Sequence, residues 1–147
     1  AEAMYELGTT GKALDDALNI SLNLVRLRVN PDMPKLTTSF VSENNLNMRE
    51  EIRRERTIEL YNEGFRVDDL KRWNTAIVEM PKPILGVKWT GTDFATSWAG
   101  ASNMAKDSDG CLILENSRRW GSKNDLYPLP VDQCQLNPNL GQNPGWQ

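Results

Sequence analysis

The chain of 147 residues contains no histidine. The commonest general base and the commonest metal ligand are therefore both missing, which removes much of acid–base and metal-assisted catalysis. Cysteine is scarce as well, with only Cys111 and Cys134, and these form no Cys-x-x-Cys pair, so a thiolate zinc site would need other ligands. The two could form one bridge or stand as small buried groups. A bridge is dispensable at this length, and unpaired thiols are expected. No apolar stretch approaches the roughly 18 residues of a membrane helix. An excess of basic charge is also lacking, since 17 Lys and Arg face 20 Asp and Glu for a net charge of -3. The local cluster Arg53, Arg54 and Arg56 is interleaved with Glu50, Glu51, Glu55 and Glu59, so it makes no one-sign patch. A nucleic-acid partner, which needs such a patch, is not expected.

What is present is the composition of a globular protein, with 39% hydrophobic and 25% charged residues. Ala1 to Gly8 reads as the last two turns of a helix closed by a glycine. With no cap, initiator Met or signal peptide ahead of it, the chain is expected to be cut from something longer. From Lys12 to Val29, Leu14, Ala17, Leu18, Leu22, Val25 and Val29 recur at helical spacing, predicting one helix buried on most sides. It ends at Asn30-Pro31, because proline disfavours helix in the residue before it. Residues 31–43 read as a connector. A helix starting between Ser42 and Asn47 runs through Met48, Ile52 and Ile58 to Gly64, and another follows from Phe65 to Thr75. Gly64 suits a left-handed cap between the two.

Across this junction lies the most informative charge pattern. Glu55, Glu59 and Glu63 fall four residues apart and share one helical face, where each adjacent pair repels by about 0.2 to 0.5 kcal/mol. Guanidinium groups brought onto that face would compensate, and Arg53, Arg56, Arg66 and Arg72 can supply them. A partly buried network of these residues with Asp69 and Gly64 is the expected reading. The sharper alternatives are weaker: helical di-iron sites use Glu-x-x-His, and no histidine exists. A glycosidase carboxylate pair is recommended by nothing in the pattern.

After Thr75, prolines and glycines interrupt every periodicity, so residues 76–126 read as loop-rich. Short extended pieces are expected at Ile84–Trp89, Cys111–Glu115 and Asp125–Tyr127. Asp107-Ser108-Asp109-Gly110 imitates part of a calcium loop but lacks the closing Glu at the right spacing, so a turn is expected. Trp73 and Trp146 are read as core anchors, and Trp120 as stacking on Arg118 or Arg119. Trp89, Phe94 and Trp98 are weak candidates for ligand binding, since exposed aromatic faces could stack on sugar rings while an indole N–H bonds a hydroxyl, but direct ligand contact is the minority expectation. The tail, residues 127–147, reads as a non-repetitive strap anchored by Leu129, Val131, Leu136, Leu140 and Trp146.

Two segments carry a resemblance. Ile52-Arg-Arg-Glu-Arg-Thr-Ile-Glu-Leu-Tyr-Asn-Glu-Gly-Phe-Arg-Val-Asp-Asp-Leu-Lys-Arg-Trp73, and Tyr127-Pro-Leu-Pro with Asn137-Pro-Asn-Leu-Gly-Gln-Asn-Pro-Gly-Trp146, resemble the closing portion of SusD/RagB nutrient-binding outer-membrane lipoproteins of the Bacteroidetes. The chain departs from that pattern at Val67, where an aromatic is usual, and at Gln133-Cys134, where an acidic residue is common. The resemblance implies a mainly α fold, a tetratricopeptide-like helical-repeat (α-α superhelix) scaffold fragment with a loop-rich second half and little β. It implies a C-terminal part with residues 1–75 helical, 76–126 an insertion and 127–147 the strap.

The function so implied is capture of a glycan, or of a peptide in some members, and its delivery to a SusC-like TonB-dependent transporter at the outer-membrane surface. Membrane attachment would come only through a lipidated cysteine that this chain lacks. No catalysis and no cofactor are expected. The alternative is a structural or transporter-docking portion whose ligand is held by upstream residues.

Overall fold

The computed structural model describes residues 1–146 and divides into two compact units, Ala1–Arg66 and Val67–Gln147. It is mainly helical, with a single two-stranded sheet among the described residues.

The first unit holds α1 (Glu2–Glu6), α2 (Gly11–Asn19), α3 (Leu22–Val29), α4 (Thr38–Glu43) and α5 (Met48–Glu59). Leu14 and Leu18, one turn apart on α2, meet Leu36, Val41, Met48 and Ile52 in its core, and Tyr5, Leu22 and Phe40 pack against them. Gly8 closes α1 as expected, in the left-handed region at φ 85. The single helix expected over Lys12–Val29 is instead two. Ser21 has left helical geometry and its hydroxyl donates 2.6 Å to the Ala17 carbonyl, an alternative to continuing the helical ladder. The break re-aims the second half, so Ile20, Leu24 and Val29 are exposed while the polar Asn23 and Arg26 are buried. The burial expected on most sides is thus confined to one face.

The connector expected over 31–43 contains α4. Its start is set by Thr37, whose Oγ1 accepts from the Phe40 N–H, and Asp15 of α2 accepts from both the N–H (2.7 Å) and the hydroxyl (2.9 Å) of Thr38. α5 begins at a second side-chain cap, Asn47, which accepts from the N–H groups of Arg49 and Glu50. It stops at Glu59, earlier than the apolar spacing suggests, and Gly64 takes φ 85 in the turn beyond.

α6 (Arg66–Arg72) opens the second unit, which adds α7 (Ala76–Glu79), β1 (Ile84–Lys88), α8 (Phe94–Ser97), β2 (Cys111–Glu115) and α9 (Val131–Leu136). β1 and β2 run antiparallel, with Ile84 opposite Glu115, Leu85 opposite Ile113 and Lys88 opposite Cys111. Both strands fall where extended pieces are expected. The third expected piece, Asp125–Tyr127, does not form a strand, and Ser122–Asp125 is a 3-10 turn. Trp89, Ala101 and Leu112 make this unit's core, with Ala95 against them.

The strap is held by polar contacts more than by the apolar anchors expected of it. Val131 and Leu136 are exposed. Gln142 instead accepts from the Leu129 N–H at 2.7 Å and donates to the Leu129 carbonyl at 2.8 Å, while the Trp146 indole donates to the carbonyls of Lys123 and Leu126. Cys111 and Cys134 are free thiols, both half-buried.

Candidate functional site

The Glu face of α5 finds its partners on α3. Arg26 donates to Glu55, and both side chains are mostly buried, at 7% and 15% exposure. Arg28 grips both carboxylate oxygens of Glu59 at 2.8 and 3.1 Å, with the guanidinium 65% exposed. Arg26 and Arg28 were not among the residues read from sequence as partners. The available signal was their place in Val25-Arg26-Leu27-Arg28, where a charge inside an apolar helix requires a carboxylate opposite it.

The other members of the expected set are distributed as follows. Arg53 lies 3.6 Å from Glu6, and Arg49 pairs with the same carboxylate at 2.8 Å. That hydrogen bond holds the Arg49 guanidinium more firmly protonated than usual. Arg56 stands over the Phe65 ring, and Arg66 donates to the Thr57 hydroxyl. Glu63 is exposed in the turn before Gly64. In the second unit Asp69 is buried and accepts from Arg72 at 2.8 Å. These are charge-neutralising contacts between helices and within them. Among the described residues no group of three or more His, Cys, Asp or Glu side chains is placed to hold a metal ion.

Beside this network, α1, α3 and α5 leave a groove of about 580 Å³, with Ala3, Leu22, Val25, Ile52 and Leu60 in its lining and Glu59 at its margin. Its walls are largely apolar, and two of its carboxylates, Glu55 and Glu59, are engaged by Arg26 and Arg28, with Glu2, Ser21 and Arg56 also in the lining.

The aromatic candidates separate by accessibility. Trp89 is 5% exposed and forms the core of the second unit, so its ring faces are taken up by packing. Trp98 is 60% exposed and Phe94 50%. The Trp98 ring leans on Trp89, with centroids 6.4 Å apart and planes tilted by 53°, a geometry within the range of favourable aromatic pairs. Trp98 is thus an exposed indole with a rigid support beneath it.

Its N–H differs from those of two other indoles. The indoles of Trp120 and Trp146 donate to protein acceptors, at 3.0 Å to Asp125 and at 2.8 Å to Lys123 respectively. Trp98 Nε1 has no acceptor among the described residues. Gly100 stands next to it, where an added Cβ would lie 3.8 Å from Nε1, in ordinary van der Waals contact. Trp120, expected to stack on Arg118 or Arg119, instead receives the Lys71 ammonium at 5.6 Å, and Tyr127 receives it at 4.1 Å. Lys71 therefore ties α6 to the start of the strap.

The Asp107 turn is a structural feature. Asp107 Oδ1 accepts from the N–H groups of Asp109 at 3.0 Å and Cys111 at 2.8 Å, so the carboxylate closes the loop entering β2.

Among proteins of known structure, the chain is similar to a SusD-like carbohydrate-binding protein from Bacteroides fragilis NCTC 9343. Identity is 27% and the TM-score 0.66, over 95% of this chain and 26% of that one. The chain therefore spans about a quarter of that protein's length. No curated protein matches. The model of the SusD family matches residues 1–146, which takes in both units and every element described above. The chain belongs to the SusD family.

Proposed function

We propose that the chain is part of a surface protein that captures glycans and delivers them to a TonB-dependent transporter of the outer membrane, without catalysing a reaction. Support comes from membership of the SusD family and from likeness to a carbohydrate-binding member of it. The observation that carries the reading onto particular residues is Trp98, an exposed ring braced by Trp89 whose N–H has no acceptor among the described residues. Such a group offers a face for sugar C–H hydrogens and a donor for a hydroxyl, the two interactions a pyranose presents together. Phe94 adds a second accessible face. The Glu and Arg residues of α3 and α5 hold the helices that form the scaffold and take no part in binding.

A panel of soluble oligosaccharides and peptides titrated by calorimetry against the wild-type chain and Trp98→Ala tests this. Saturable sugar binding that disappears in Trp98→Ala supports it. A peptide bound in preference to any sugar would move the chain to the peptide-binding relatives, and a released product would make it an enzyme.

A second reading is favoured by the short span of the chain against its solved relative. In that reading this part is scaffold and transporter-docking surface, and the ligand is held by other portions of the protein. Sugar binding by a longer SusD-family protein but not by this chain would select it.

A further inference from the structure

We infer that the turn after α5 is a proteolytic site, where the Glu63–Gly64 bond is the first in the chain to be cut by an endopeptidase that selects glutamate, and that the cut leaves both cores whole.

An endopeptidase draws the segment around its target bond into its own cleft, so it cuts where that segment is exposed and held by few backbone contacts. Tyr61 to Asp68 are eight consecutive exposed residues, and Tyr61 is 84% exposed. α5 has ended at Glu59, and the backbone then passes twice through the left-handed region, at Asn62 (φ 63) and Gly64 (φ 85). The N–H groups of Tyr61 and Glu63 reach carbonyls only three residues back, at 3.3 and 3.2 Å, which is long for such bonds. A Cβ placed on Gly64 would meet nothing within 4 Å, so space is open on that side of the chain.

Residue identity narrows the cut to one bond. Of the ten glutamates, Glu63 alone lies outside every helix and strand. The nearest rival is Glu43, which ends α4 and is followed by an exposed turn of its own. There the N–H groups of Asn44, Asn45 and Leu46 all bond carbonyls of α4, the last at 2.9 Å, and Asn47 caps α5. That turn is closed by both of the helices it joins.

Hydrolysis places the hydroxyl of water on the Glu63 carbonyl carbon and its remaining proton on the Gly64 nitrogen as the C–N bond between them breaks. The first core is drawn from residues between Leu14 and Ile52, and the second from Trp89, Ala101 and Leu112. Each core therefore falls within one product.

The test is limited digestion of the complete chain by a glutamyl endopeptidase, followed by intact mass and circular dichroism. The first products expected are residues 1–63 and 64–147, with the helical signal of the cut chain retained. Glu63→Gln should leave the thermal melt unchanged and slow the first cut about tenfold or more, since every other glutamate bond must wait for a helix or strand to open. A first cut after Glu43 or any other residue, an undiminished rate in Glu63→Gln, or loss of the helical signal on cutting overturns the inference.

Discussion

The side-chain amide of Asn23 is paired with both backbone groups of Leu36, accepting from its N–H at 2.8 Å and donating to its carbonyl at 2.9 Å. Both residues are fully buried. Asn23 on α3 thereby acts as the hydrogen-bonding partner of a loop residue that has no strand or helix to satisfy it. Gln142 does the same for Leu129 in the second unit.

Asn23→Ala leaves the Leu36 N–H and carbonyl buried without partners, at about 1 to 3 kcal/mol for each group. Chemical denaturation should show a loss of about 2 to 5 kcal/mol, enough to unfold a marginal domain. A midpoint unchanged from wild type would show that the pair contributes nothing net.

The two ion pairs between α3 and α5 should respond differently to removal of one partner. Arg26→Met strands the mostly buried Glu55, with an expected loss of about 3 to 5 kcal/mol that Arg26→Met with Glu55→Leu recovers in large part. Arg28→Met breaks a pair whose guanidinium is in water, and a change within about 1 kcal/mol is expected. Raising the salt concentration should weaken the second contribution and leave the first nearly unchanged. Equal losses for the two variants would contradict the assignment of burial to the Arg26 pair.

Two glycines in the left-handed region separate backbone strain from crowding. At Gly64 (φ 85) an added Cβ meets nothing, so Gly64→Ala should cost only the conformational penalty of about 1 to 2 kcal/mol. At Gly110 (φ 79) it would sit 2.5 Å from Thr90 Cβ, while the Gly110 carbonyl accepts from Trp89 and Thr90. Gly110→Ala should therefore be the more damaging, and Gly110→Ala with Thr90→Gly should recover the difference. Thermal melts of the three variants decide the order.

Glu115 offers a pH-dependent contact. The Ser117 hydroxyl, donating to its carboxylate, holds Glu115 below the usual carboxylate range, with the Ser117 N–H adding to the effect. A lowered folded value means that this contribution is fully present above the unfolded carboxylate range and is lost as pH falls through the folded value. Ser117→Ala should move the Glu115 titration upward toward the ordinary carboxylate range, followed by carbon-detected NMR. A titration that does not move would remove Ser117 as the cause.

The helical first half was legible because Leu14, Leu18 and Ile52 are spaced for one face of a helix and Gly64 punctuates the pattern. Both strands were legible from short apolar runs between glycines and prolines. The division of the Lys12–Val29 helix was not, since the Ser21 hydroxyl competes with the ladder only once the chain has turned there. α4 escaped because its start depends on Asp15, 23 positions away from Thr38. The Glu face was visible as a charge problem, but its solution by Arg26 and Arg28 depended on α3 packing beside α5. Of the three aromatic candidates, periodicity could not say which would be buried, because Trp89 follows β1 into the core while Trp98 ends a single exposed turn.

By itself the sequence determined the family, the helical class of the first half, the turn at Gly64 and the absence of histidine chemistry. Each follows from residue identity or from spacing along the chain, which local stereochemistry and hydrophobic burial read directly. The tertiary structure decided which cations neutralise the α5 carboxylates, which tryptophan is core and which keeps a free face, and how the strap is held. Those outcomes depend on groups far apart in sequence being desolvated together, and only the packed chain brings them to one place.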